Sequence, residues 1–249
     1  MNVQKLFKTA PMTTLLLGIF VGLFAYQVLF AGVDANTPAR EDLLNWGANY
    51  FSKSMVTEPW RLITSGFLHI GLMHLLFNCY AMYYFGQVAE PMLGSVKFLL
   101  LFLLSVLGGN MLNSYVTFNY IIHNNLPITY TSLSAGASGG IMGIGMGLLI
   151  FALFKVYAGG HRLNFKGLLL VMGINLMYGF IVPGIDNAGH IGGAMVGGVL
   201  AFVFTLVWQW QSKMLRNCFY FIIFFCIMIG FYLLWKSLNW QVLEMISSA

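Results

Sequence analysis

Charged residues are scarce in this chain of 249 residues. They make up 8% of the sequence, whereas soluble domains carry about 25%. Hydrophobic residues make up 59%, so too few charges remain to cover a surface exposed to water. The composition excludes an ordinary soluble domain and predicts a polytopic membrane protein.

Basic clusters and paired cysteines are also missing. The net charge is +5, but the Lys and Arg residues stand singly or in pairs between apolar segments, with no stripe that would bind nucleic acid. The three cysteines lie in apolar stretches without CxxC spacing, which is typical of small buried hydrophobes. We therefore expect neither a nucleic-acid partner nor a disulfide framework among Cys79, Cys218 and Cys226.

Seven apolar stretches are long enough for a helix to cross a bilayer. The first follows Lys5 and Lys8, as a signal sequence would, but its apolar run exceeds the roughly 7–15 residues of a signal core, so we interpret it as retained. The predicted fold class is an all-α polytopic membrane protein, with spans at about Met12–Gly32, Ile63–Gln87, Val96–Tyr115, Ser138–Tyr157, Gly167–Val182, Gly189–Gln209 and Cys218–Trp235.

The positions of the charges predict the orientation of these spans. Cytoplasmic segments carry an excess of Lys and Arg, and a cytoplasmic N-terminus places most cations inside and six of the seven acids outside. We therefore predict an N-in, C-out topology with a short cytoplasmic N-terminus over residues 1–11. The inner cations are then Lys5, Lys8, Lys97, Lys155, Arg162, Lys166, Lys213 and Arg216.

The long outer connection runs from about Val33 to Leu62 and contains several aromatic residues. Aromatic side chains of this kind prefer the headgroup layer, which predicts that the connection lies partly in the outer leaflet. An exposed connector with scattered aromatics is the alternative. The aromatics are Trp46, Tyr50, Phe51 and Trp60.

Ionisable and polar side chains inside spans are costly and mark functional sites. His69, His74 and Asn78 lie in the second span, Ser138 opens the fourth and His190 opens the sixth. These three spans run in the same direction, from outside to inside, so the side chains can meet at one depth.

Glycines spaced four apart follow both Ser138 and His190 in the sequence, and such spacing lets two helix backbones approach closely in lipid. Close approach would bring the hydroxyl within hydrogen-bond reach of the imidazole, the arrangement of an activated nucleophile. Each feature alone has a common structural explanation, since a serine can bond the backbone, a histidine can pack and glycines can serve packing only. Their joint occurrence, in order and at one depth, favours catalysis.

Acyl transfer also needs donors aimed at the developing oxyanion. His74 and Asn78 are four apart, so they share one helix face, and the Ser138 amide at a helix start is a third candidate. Asp186, four residues before His190, is a possible orienting group, but a Ser–His dyad is the simpler interpretation.

The chain resembles bacterial rhomboid proteases from about Asn45 to Leu206. The matching residues are the Trp-Arg pair, the His-rich helix with its HxxxN pattern, a glutamate in the following segment, the GxSG motif and the Gly-His pair with small residues after it. In this sequence they are Trp60, Arg61, His69, His74, Asn78, Glu90, Gly136–Gly139, Gly189, His190, Gly193 and Gly197.

The resemblance implies a six-helix protease core over 12–210 around a water-filled outer cavity, and a seventh helix with a short outer tail over 211–249. It also implies residue roles. Ser138 would be the nucleophile, His190 the general base and acid, and His74, Asn78 and the Ser138 amide the oxyanion hole. Trp60, Arg61 and Glu90 would be structural, and His69 would bond in the core.

The implied function is intramembrane serine endopeptidase activity on peptide bonds in or near the transmembrane segments of membrane-protein substrates. We expect no cofactor and no metal, lateral substrate entry past span five under the loop Pro183–Asn187, and a multi-pass location in a bacterial cell membrane with the site facing the outer, periplasmic side. Partners would be single-pass or other transmembrane proteins and membrane lipid. Met142 stands where many similar enzymes carry an aromatic residue against the catalytic histidine.

Two other functions stay open on the sequence. A catalytically inactive rhomboid-like protein would bind membrane helices without cutting them, although such proteins typically lack the serine or the histidine. A transporter could use His69, His74 and His190 as metal ligands, but zinc sites generally add carboxylates or thiolates, and none lies near these histidines.

Overall fold

The computed structural model describes residues 3–128, 133–156, 163–181 and 185–247. Helices dominate this part of the chain, and two short strands, β1 (Asn49–Tyr50) and β2 (Leu133–Ser134), pair antiparallel. The helices are α1 (Val3–Thr9), α2 (Pro11–Leu29), α3 (Arg40–Asn45), α4 (Phe51–Val56), α5 (Arg61–Thr64), α6 (Leu72–Leu93), α7 (Ser95–His123), α8 (Ser138–Leu153), α9 (Phe165–Ile181), α10 (Asn187–Val207) and α11 (Lys213–Ser247), with a 3-10 turn at Ser65–Phe67.

The predicted fold class, an all-α polytopic membrane protein, is confirmed, and a helix lies at each predicted span. The helices α2, α7, α10 and α11 are long and apolar enough to cross a membrane. The second predicted span consists of two helical pieces, Arg61–Phe67 and α6, that meet at 92°. Helices α8 and α9 have only 16 and 17 residues, so the count of seven spans stays a prediction. The N-in, C-out topology also stays a prediction.

Some sequence predictions fall on residues 157–162 and 182–184, outside the described residues. They concern Tyr157 as the end of span four, Arg162 as an inner cation, Val182 as the end of span five and Pro183 at the loop over the entry route.

Three helices, α7, α8 and α10, form the centre of the molecule and pack directly on one another. Helix α2 packs on α6, which in turn contacts α8, while α11 lies at the periphery against α4, α7 and α10. The helices that carry Ser138 and His190 therefore belong to the most closely packed part of the protein.

The bend in the second span has a local cause at Gly71. This residue has φ +98, a left-handed conformation that glycine adopts readily. A Cβ there would lie 2.5 Å from the carbonyl oxygen of Asn36, and the Leu72 amide donates to the carbonyl of Ala35 at 2.7 Å. The outer connection thus crosses the start of α6 so closely that only a glycine fits.

The outer connection itself is more ordered than a plain connector, since it contains α3, β1 and α4. One of its aromatics, Phe51, is only 1% exposed and packs in the main hydrophobic core. The Phe51 ring therefore fixes α4 to the helices. The prediction that the connection lies partly in the outer leaflet stays a prediction.

Candidate active site

Ser138 is the first residue of α8 and is half-buried. The residue before it, Ala137, provides no side-chain cap for the helix. The first-turn amides of a helix have no partner within the helix, so the Ser138 N–H belongs to a set of donors that no capping side chain uses. Ser138 therefore offers two groups close together at the start of α8: its side-chain hydroxyl and a backbone N–H that no capping side chain uses.

His190 lies in the first turn of α10. Asp186 caps this helix, because its Oδ1 accepts from the Gly189 amide at 2.7 Å. The His190 Nδ1 is buried and has no hydrogen-bond partner among the described residues. The alternative that Asp186 orients the imidazole is thus wrong in this structure: the carboxylate holds the helix start instead.

Glycines bring α8 and α10 together immediately beside these two residues. A Cβ on Gly139 would lie 3.2 Å from the carbonyl oxygen of Gly189, and one on Gly193 would lie 2.6 Å from the carbonyl carbon of Gly139. Ser138 precedes Gly139 and His190 follows Gly189. The two residues therefore lie at the same height along the facing helices α8 and α10. The described hydrogen bonds include none between their side chains, so that bond stays a prediction.

His74 approaches Ser138 from α6. The Ile70 amide donates to His74 Nδ1 at 3.2 Å, so in the neutral ring the proton sits on Nε2. A methyl group on Gly136, which has φ +142, would lie 2.9 Å from that Nε2 and 3.7 Å from Ser138 Oγ. Because Gly136 has no side chain, a space the size of a methyl group stays open between His74 Nε2 and Ser138 Oγ.

Asn78 is buried on the same helix, one turn after His74. Its Nδ2 donates to the His74 carbonyl at 3.1 Å, so one of its two N–H groups is used within α6. Its predicted part in the oxyanion hole depends on the second N–H and stays a prediction.

Met142 and His69 occupy packing positions near the site. Met142 is buried in α8, and its predicted contact with the His190 ring stays a prediction. His69 is buried, and its ring packs edge-on against Phe20 and His74 at centroid distances of 5.3 and 5.5 Å.

A small cavity of about 30 Å³ opens beside Ser138. Its volume is sufficient for a water molecule, and several of its walls are polar. It is lined by Val106, Gly109, Asn110, Ser134, Ala135, Gly136, Ser138, Gly139, Asp186 and Gly189.

Asn110 is the centre of a buried hydrogen-bond network that the sequence analysis missed. Its Nδ2 donates to the Leu62 carbonyl at 2.8 Å and to Ser65 Oγ at 2.9 Å. Its Oδ1 accepts from Asn49 Nδ2 at 3.2 Å and from Ser134 Oγ at 3.3 Å. One carboxamide thus joins α7 to the outer connection and to the segment before Ser138. The signal was present, since an asparagine inside an apolar span is itself unusual.

Replacing Asn110 with leucine is expected to destabilise the protein by about 2–4 kcal/mol, because several buried partners would lose their hydrogen bonds at once. Unfolding in mixed micelles, followed by circular dichroism, measures this loss. Asn119→Leu is the matched control on the same helix, since within the described part of the chain this half-buried side chain donates to the Tyr115 carbonyl alone. Equal stability of the two variants would contradict the role given to Asn110.

Arg61 joins the parts of the outer connection. Its Nε donates to Glu58 at 2.6 Å, its Nη1 donates to the carbonyls of Leu44 and Ala48, and its guanidinium lies 4.7 Å from the Trp60 ring centroid. Partial burial raises the pKa of the Glu58 carboxyl, but the hydrogen bond and the charge of Arg61 outweigh this and leave that pKa below its usual value. The Glu58 carboxylate therefore stays ionised at neutral pH.

Glu90 joins three helices at the opposite end of α6. Its carboxylate accepts from the amides of Met12 and Thr13 at 2.9 and 2.7 Å, from the Thr13 hydroxyl and from Ser95 Oγ at 2.6 Å. A carboxylate at the amino end of α2 satisfies amides that lack partners and interacts favourably with the helix dipole. Both oxygens of this buried carboxyl group thus accept hydrogen bonds, which tie α6 to the starts of α2 and α7.

Within 3–128, 133–156, 163–181 and 185–247, no three His, Cys, Asp or Glu side chains come together as a metal site would need.

Comparison with known proteins places these features in context. A profile of the Rhomboid domain matches residues 56–207, inside the predicted core. The chain is 29% identical over 209 residues to the rhomboid protease AarA of Providencia stuartii, covering 79% of this chain and 73% of that protein. It is 34% identical over 183 residues to the rhomboid protease GluP of Bacillus subtilis, covering 74% of this chain but only 33% of that protein. RHOMBOID-like protein 6, mitochondrial, of Arabidopsis thaliana is 30% identical over 203 residues, which cover 78% of this chain and 59% of that protein.

Proposed function

Because this chain belongs to the rhomboid family, we propose that it is an intramembrane serine endopeptidase with Ser138 as nucleophile and His190 as base. The observation that carries the proposal is the contact of Gly139 with Gly189, which holds the two residues level on facing helices. Membership of the rhomboid family and the close approach of these two helices both support the proposal.

The proposed reaction is hydrolysis of a peptide bond through an acyl-enzyme. His190 takes the proton of Ser138 Oγ as the oxygen attacks the scissile carbonyl, and returns it to the leaving amine. Water then attacks the ester carbonyl while His190 takes its proton, and His190 returns that proton to Ser138 Oγ as the ester bond breaks and the carboxylic acid product leaves. In both steps the His74 Nε2–H and the Ser138 amide would stabilise the oxyanion that forms on the substrate carbonyl oxygen. The short distances from the open position at Gly136 to His74 Nε2 and to Ser138 Oγ support the role of His74.

The length of α8 supports a site below the membrane surface. Its 16 residues span about 24 Å, less than the hydrocarbon thickness of about 30 Å. If α8 ends at the inner surface, Ser138 at its other end lies several ångströms inside the hydrocarbon layer. The cavity beside Ser138 offers a place for the water that hydrolysis consumes.

Substrates of such a site are transmembrane proteins whose helix unwinds near the cut, since helical carbonyls are hydrogen-bonded and shielded from attack. With the N-in, C-out topology, the site opens on the outer face of a bacterial cell membrane. The bend at Gly71 lies at the same end of the helices as Ser138, since the Gly136 amide donates to the carbonyl of Ser65 in the first piece of the bent span.

The experiment is cleavage of a single-pass fusion substrate by the native chain in reconstituted vesicles, combined with labelling by a fluorophosphonate and mapping of the labelled peptide. Cleavage and a label on Ser138 are expected. Helix binding without cleavage or label would instead identify the chain as a rhomboid-like binding protein and overturn the proposal.

Replacing His74 with alanine is expected to lower kcat by about 10²–10³ with little change in KM, because an oxyanion donor acts mainly in the transition state. Steady-state kinetics with the same fusion substrate measure both constants. His123→Ala is the matched control, since that exposed histidine ends α7 and bonds the carbonyl of Asn119. An unchanged kcat for His74→Ala would contradict its oxyanion role.

A further inference from the structure

The short helix α4 ends with carbonyl groups that its own sequence cannot satisfy. The last four carbonyls of any helix lack partners within the helix. The Glu58 amide, which could bond the Ser54 carbonyl, donates to the Lys53 carbonyl at 2.8 Å instead. The Met55 carbonyl would accept from the amide of residue 59, but Pro59 has no N–H. The carbonyls of Ser54 and Met55 therefore need donors from elsewhere in the chain.

Helix α11 supplies both donors. Trp235 Nε1 donates to the Ser54 carbonyl at 3.0 Å, and Asn239 Nδ2 donates to the Met55 carbonyl at 2.7 Å. The two side chains are four residues apart and so lie on one face of the helix. With 35 residues, α11 is about 52 Å long, which exceeds the bilayer core of about 30 Å and lets one helix reach the outer connection.

A continuous set of contacts leads from α4 toward the nucleophile. Ser54 Oγ donates to Asn49 Oδ1 at 2.7 Å, and Asn49 Nδ2 donates to Asn110 Oδ1 at 3.2 Å. Asn49 also pairs with Ser134 across the two strands. Ser134 lies four residues before Ser138, so α4 and the segment that presents the nucleophile share one network.

We propose that Trp235 and Asn239 are positioning residues, through which α11 holds the outer connection and thereby the Ser138 segment in the reactive arrangement. The proposal rests on the proposed protease function. Neither side chain contacts Ser138 or a reacting atom. Their effect passes through the carbonyls of Ser54 and Met55 and the Asn49–Asn110 network.

The test compares Trp235→Phe, Asn239→Leu and the double variant with matched controls in the full-length chain. Trp240→Phe and Gln241→Leu are the controls, because among the described residues the hydrogen bonds of these two side chains stay within α11, to Glu244 and Ser237. Each variant is assayed for kcat and KM on the fusion substrate and for its rate of fluorophosphonate labelling, below its measured unfolding temperature.

The double variant is expected to lose about tenfold in kcat and in labelling rate with KM unchanged, and each single variant less. Asn239→Gln, which keeps an amide donor, is expected to restore most of the rate. If the double variant does not fold, the two single variants carry the comparison.

Two outcomes would overturn the inference while leaving the protease intact: rates equal to those of the controls, or a change confined to KM with normal labelling. A native chain that neither cleaves nor labels would instead overturn the proposed function itself. The two failures are therefore distinguishable.

Discussion

Replacing Ser138 with alanine is expected to lower the rate of substrate cleavage by about 10⁴-fold or more, to the background of the assay. The oxygen that forms the acyl-enzyme is removed, while the helix start that carries it remains. His190→Ala is expected to cause a loss of similar size, because the two groups act as one unit and their effects do not add. Cleavage of the fusion substrate in vesicles measures both rates.

Ser114→Ala is the control for this experiment. Ser114 is fully buried on α7, and its hydroxyl has no hydrogen-bond partner among the described residues, so its removal should leave cleavage near the native rate. Native activity in Ser138→Ala would exclude that serine as nucleophile, and native activity in His190→Ala would exclude the histidine as base.

Replacing Gly193 with alanine is expected to destabilise the protein by about 3 kcal/mol and to abolish cleavage, because the added methyl group meets backbone rather than a flexible side chain. Its Cβ would lie 2.6 Å from the carbonyl carbon and 2.9 Å from the Cα of Gly139. Helices α8 and α10 must separate to admit it, and that separation moves Ser138 away from His190. Unfolding in mixed micelles and the cleavage rate measure the two effects.

Gly198→Ala tests the same substitution on the same helix without the collision. A Cβ there would meet only Met146 Cγ at 3.1 Å, the side chain of a flexible residue. Since alanine favours helix over glycine by about 1 kcal/mol, this variant is expected to match or exceed the native stability. Similar losses at both positions would contradict the role given to the contact between Gly193 and Gly139.

The sequence was sufficient to predict a helix at each apolar stretch and the close approach of the two helices that carry Ser138 and His190. The fourth span was expected to begin at Ser138, and α8 begins there. The glycines after each residue predicted close approach of spans four and six, and Gly139 and Gly193 are in contact. These features could be predicted because they follow from hydrophobicity and from local spacing, which a single segment displays by itself.

The supporting contacts could not be predicted, because they join residues far apart in the chain. Asn110 bonds Asn49 across 61 positions, and Trp235 bonds Ser54 across 181. No periodicity links such partners. The turn at Gly71 was missed for a related reason: the second span is apolar on both sides of the bend, so its hydropathy is that of one continuous helix.

The contact between α8 and α10 has a thermodynamic consequence. Side chains lose rotational freedom when they are packed, at a cost of up to about 2 kcal/mol each, but glycine has no such freedom to lose. Where Gly139 meets Gly193 and Gly143 meets Gly197, the two helices associate without that entropic penalty. The spacing of Ser138 and His190 is therefore set by rigid peptide groups, and thermal rotamer changes in neighbouring side chains cannot alter it.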